Sequence, residues 1–133
     1  MLRRFLASVS FATGSRPSYD ELPSLFADGA RLTRTGPGGL SWTVDEFVAA
    51  RWAAYDAGQL TSFEETELSA KTERFGDVAH RFSPYSKRGM TPDGPIDARG
   101  AISTQFVRTP DGWRISSMAW DDERPGVALP EPA

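Results

Sequence analysis

The chain has 133 residues, a formal net charge of −3 and no cysteine; this fits one domain with an ordinary core and excludes disulfides, thiolate metal sites and a cysteine nucleophile. A single histidine, His80, excludes a multi-histidine zinc centre, and no cofactor is implied. With no long block of like charges the chain offers no nucleic-acid face, and its bias towards arginine over lysine reflects G+C-rich coding rather than function.

Arg3 and Arg4 precede an apolar stretch, as in an export signal, but serine and threonine interrupt that stretch and no clean small-x-small cleavage site follows. Leu2, Phe5, Leu6 and Val9 stand at helical spacing and predict an amphipathic helix from Leu2 to Phe11, stopped by Gly14. Ser18-Tyr19-Asp20-Glu21 has the capping-box pattern of a short helix ending near Phe26. Ala30 to Thr35 reads as a strand, Gly36 to Gly39 as a turn, and Leu40-Ser41-Trp42 as the returning strand. Thr43 with Glu46 makes a second capping box, for a helix that runs past Trp52 and Tyr55 to Gly58.

The second half reads as strands. Thr61 to Phe75 is extended, and Gly76-Asp77 turns it into Val78 to Lys87. A Gly/Pro-rich loop from Gly89 to Pro95 leads to a strand from Asp97 to Arg108. Thr109-Pro110-Asp111-Gly112 then turns the chain into Trp113 to Asp122. The domain therefore occupies residues 1–124, and 125–133, with three prolines, form an extended tail. Helices followed by long strands predict an α+β fold with the helices on one face of a sheet. No apolar run approaches the ~20 residues of a membrane span, so a cytoplasmic protein is expected.

The segments LFADGARLTR, GDVAHRFSPYSKR and ARGAISTQFVRTPDGWRISSMAWDDERPG resemble the nuclear transport factor 2-like superfamily, which includes ketosteroid isomerase and the SnoaL-like cyclases. The closing hairpin is most similar to a bacterial branch with no assigned function. The resemblance implies a cone: a strongly curved, mainly antiparallel sheet and three helices around an apolar pocket, often in a homodimer through the outer face of the sheet. The fold alone does not fix a chemistry.

Setting the chain beside the isomerase pattern without gaps implies the pocket rows. Val78, His80 and Phe82 fall inward on one strand, and Met118, Trp120 and Asp122 on the last. Gln105 falls where the isomerase has its oxyanion-stabilising aspartate, Arg34 where it has its base, and Phe26 at a tyrosine position. An arginine stays protonated, so steroid-type isomerisation is not expected. Arg34 either clamps an anion or pairs with Asp122. His80 is the acid–base candidate or a structural group; Gln105, if buried, needs a partner; Trp42 and Trp120 form an aromatic wall or plain core. Glu64, Glu65 and Glu67, near Lys71 and Arg74, read as a solvated face.

The leading expectation is a protein that binds an unidentified small molecule in a mainly apolar pocket with one polar, anion-recognising end. That pocket would be formed by Arg34, Trp42, Phe82, Gln105, Met118, Trp120 and Asp122, with no metal. The alternatives are a SnoaL-like cyclase, isomerase or dehydratase using His80, and a dimerisation module without catalysis. A homodimer is expected because Trp113, Ile115 and Ala119 alternate with the inward row.

Overall fold

The computed structural model describes residues 2–130. Helix α1 (Leu2–Val9) buries Leu2, Phe5, Leu6 and Val9, the stripe that its spacing predicts. A 3-10 helix follows over Tyr19–Leu25 and buries Tyr19, Leu22 and Leu25. Those residues recur every third position, the period of a 3-10 helix, in which they eclipse on one side. The expected cap at Ser18 forms no side-chain bond. Thr43 and Glu46 do close a reciprocal capping box, which launches α2 (Val44–Asp56). Among the described residues no helix is long and apolar enough to cross a membrane.

The strands are β1 (Phe26–Arg34), β2 (Leu40–Thr43), β3 (Ser62–Glu67), β4 (Lys71–Phe75), β5 (Val78–Thr91), β6 (Gly94–Thr109) and β7 (Gly112–Asp122). They form one sheet in the order β2-β1-β7-β6-β5-β3, with β4 also paired to β5. β1 and β7 run parallel, and every other pair is antiparallel. The three helices pack on one face of this curved sheet. The core between them includes Phe5, Leu22, Leu32, Phe63, Tyr85, Ile102, Phe106, Ile115 and Met118.

Three departures from the sequence reading have physical causes. The stretch from Thr61 to Phe75 is two strands, broken between Glu67 and Lys71. Leu68 donates to the carbonyl of Pro84 in β5, but Pro84 has no N–H to return on that side, so the ladder stops there. The Gly89 to Pro95 loop is absent: β5 and β6 run on to a tight turn at Pro92-Asp93, where Gly94 takes φ 120°. Ile115 and Trp113 do not lie on the outer face. Ile115 is fully buried, opposite Phe106.

That last change follows from a bulge in β7. Phe106 pairs with Ile115, whereas Gln105 pairs with Ser117, so Ser116 is the extra residue. An unbroken register would set Gln105 opposite Ser116, on the same face as Met118 and Trp120. The bulge sets it opposite Ser117, on the other face. His80 pairs directly with Gln105 and turns outward with it.

Candidate functional site

Between the helices and the inner face of the sheet lies a cavity of about 170 Å³. Each wall residue is set by the alternation of its strand or the pitch of its helix. Ala30 and Leu32 of β1 are buried on its inner side, and the same alternation brings Arg34 to the cavity. Its Nη2 donates to the carbonyl of Gly38 at 2.9 Å, tying it to the turn before β2. Trp42 on β2 and Trp120 on β7 flank β1 and stack across it, ring centres 6.0 Å apart and 9° from parallel. Phe47, in the first turns of α2, meets both rings edge-on at 5.6 and 6.1 Å.

One turn further along α2, Arg51 also lines the cavity. Its guanidinium lies 5.0 Å from the Phe63 ring, and its buried Nε has no hydrogen-bond partner. Phe5 and Val9 of α1, Phe63 of β3 and Ile102 of β6 supply the apolar wall.

The far end, on β3 and β5, holds Glu65 and Lys87, which are opposite each other in the ladder. They do not pair. Lys87 Nζ bonds Asp122 Oδ2 at 2.9 Å instead. Asp122 Oδ1 accepts a short hydrogen bond from the Tyr85 hydroxyl, which also donates to the Asp121 carbonyl at 3.2 Å. Burial, with the hydrogen bond to Asp122, pushes the Tyr85 phenol far above its usual range and keeps it neutral. The Glu65 carboxylate takes no hydrogen bond or ion pair from any described residue. Burial raises its pKa to about 7, against the pull of Lys87 and Arg51.

Glu67, two residues along the same face of β3, is the opposite case. Arg81 grips it with Nε at 2.8 Å and Nη2 at 2.5 Å, and Ser83 donates at 2.6 Å. The hydrogen bond from Arg81 leads the effects that hold its pKa below the ordinary carboxylate range.

The residues expected in the pocket divide in two. Arg34, Trp42 and Trp120 line the cavity. Met118 is buried in the core and is not part of the wall, and Asp122 acts by holding Lys87 rather than Arg34. Phe82 and Gln105 lie on the outer face, with Phe82 53% exposed. His80 is there too, its Nε2 2.9 Å from Glu73 Oε1, so it meets no ligand held in the cavity. The expected convergence of Arg34, His80, Gln105 and Trp120 therefore does not occur, because the gap-free comparison placed β5 and β6 one residue out of register with the inner face.

Glu65, Lys87 and Arg51 were missed, and Glu65 does not belong to a solvated face. The available signal was Phe63, an aromatic residue on the same side of β3 two positions earlier.

No protein-family model and no curated protein matches the chain. Solved structures do. A nuclear transport factor 2-like superfamily protein from Salmonella enterica superposes with a TM-score of 0.76 at 14% identity, over 92% of this chain and 86% of that one. The Kfla4162 protein from Kribbella flavida gives 0.71 at 20% identity, over 92% and 86%. A protein provisionally named a dehydratase of the same family, from Streptomyces avermitilis, gives 0.60 at 19%, over 80% and 82%. At such identities the likeness concerns architecture, and with the helices on one face of a curved sheet it leads to one statement: the chain has the nuclear transport factor 2-like fold.

Proposed function

We propose that the protein binds a small organic anion, one ring in size, in the cavity between α1, α2 and the sheet. The make-up of the wall carries this: a stacked tryptophan pair and six other apolar or aromatic side chains, with Arg34, Arg51 and Lys87 set among them. Lys87 is neutralised by Asp122, and Glu65 exchanges its proton near neutrality, so the two arginines leave a positive excess. A cavity of about 170 Å³ is close to the ~150 Å³ that holds a single benzene ring. It is too small for a steroid or a polyketide of several rings, which need pockets of roughly 300 Å³ or more. The two tryptophans border this space without filling it, which favours binding over a purely structural role.

Calorimetric titration with benzoate and with benzamide, its neutral analogue, tests the reading. Benzoate is expected to bind ~10-fold or more tightly than benzamide. Arg51→Met, which removes the cavity arginine that faces Glu65, should remove most of that difference and leave benzamide unchanged. Equal affinities for the two compounds would contradict it.

A further inference from the structure

Glu65 stands out among the acidic groups in and beside the cavity because no described residue hydrogen-bonds or pairs with its carboxylate. Glu67 is saturated by Arg81 and Ser83, and Asp122 by Lys87 and Tyr85. Glu65 lines the cavity, and no described residue donates to its carboxylate. Half-buried and opening on the cavity, that carboxylate is completed by what occupies the cavity, or by a proton, rather than by a neighbouring side chain.

The surroundings show which. From β5, Lys87 and Tyr85 face Glu65, and from α2, Arg51 does. Asp122 acts from β7, and Arg34 stands on β1 across the sheet. α1 contributes Phe5 and Val9 to this space, and the hydroxyl of Ser10 just beyond it accepts from the Glu65 backbone N–H, not from the carboxylate. Of the cations, Lys87 is committed to Asp122, and Arg51 stacks on Phe63. An incoming anion therefore adds negative charge beside a carboxylate that has no counter-ion of its own.

We propose that Glu65 meets the ligand in its protonated form, donating an O–H hydrogen bond to the ligand's anionic group, so that each binding event takes up a proton. The inference rests on the anion-binding reading of the cavity. The step balances simply: solvent supplies one proton, Glu65 holds it, and no covalent bond of the ligand changes. A free pKa of about 7 makes the step accessible, because holding the proton at about pH 8 then weakens binding only ~10-fold. An ionised pair at hydrogen-bond distance in a half-dry cavity costs more than that. A proton between the two oxygens turns the repulsion into a charge-assisted hydrogen bond.

The test is benzoate titration of the intact protein from about pH 6 to about pH 9, a range over which benzoate stays ionised. Each point is measured in two buffers of different ionisation enthalpy, which counts the protons exchanged. Wild type should take up close to one proton at about pH 8 and few at about pH 6, with affinity falling up to ~10-fold per pH unit above about pH 7. Glu65→Gln, permanently neutral and still a donor, should bind with the low-pH affinity throughout and exchange no protons. His80→Gln, on the outer face, should leave the wild-type dependence in place. Binding with no proton uptake in wild type, or an unchanged pH dependence in Glu65→Gln, overturns the role of Glu65 and leaves the anion site standing. Benzoate that binds neither wild type nor Glu65→Gln at any pH overturns the site itself, and this inference with it.

Discussion

Glu65 and Glu67 share a strand and a face yet their pKa values shift in opposite directions, because one faces the cavity without a partner among the described residues while the other is held by Arg81 and Ser83. For Glu65 the stability consequence has a definite sign. The folded state keeps the proton up to about pH 7, whereas the unfolded chain releases it near 4.5. The folded protein is therefore favoured at low pH and loses stability as pH rises between those values. The loss is complete above about pH 7 and is on the order of 3 kcal/mol. Glu65→Gln, which cannot ionise, should match wild type near about pH 4.5 and exceed it by up to that amount near about pH 8, in the absence of ligand. Urea denaturation at the two pH values measures this, and a constant difference between the proteins would contradict it. Apart from Phe63 two positions earlier, nothing in the local sequence of Glu65 marks it out. Three glutamates within four residues look solvated, and only the partners on β5, far away in sequence, separate their roles.

At the scale of elements, short-range chemistry was legible and register was not. The Thr43–Glu46 capping box, the Gly76-Asp77 turn and the Thr109–Gly112 turn are all present where the residues indicate them. A bulge at Ser116 has no such signature, and it alone decides whether Gln105 and His80 see the helices or the outer face. The Pro84 break, in contrast, was readable: a proline within a long strand pattern signals an interrupted ladder. Another element-level constraint is Gly100 on β6, opposite Tyr85. A methyl group there would run into the Tyr85 hydroxyl and the Asp121 carbonyl. Gly100→Ala should therefore displace the Tyr85 ring, free Asp122 from it, and destabilise the fold by about 2 kcal/mol or more. An unchanged urea midpoint would show that the ring and β7 can move aside.

Across the whole molecule, the curved sheet sets cationic Arg34 on β1 and the Glu65–Lys87 end on β3 and β5 at opposite limits of one cavity. Three strands, β7, β6 and β5, lie between β1 and β3, so four inter-strand steps of about 4.8 Å separate the two limits along the sheet. Arg34 lines the cavity from one limit and Glu65 from the other. The fold was legible because its helices, turns and closing hairpin follow local rules. The cavity was half legible: Arg34 came from the comparison with the isomerase pattern, Trp42 from its aromatic character and Trp120 from strand alternation, and the register holds unbroken from Arg31 to Arg34. A crystal structure with 4-bromobenzoate, whose bromine is located by anomalous scattering, tests the anion site most directly. The bromine should lie in the cavity within contact distance of Trp120, with the carboxylate at a hydrogen bond from Glu65 or a cavity arginine. Bromine only on the outer face beside His80 and Gln105, with the cavity empty at saturating ligand, would contradict it.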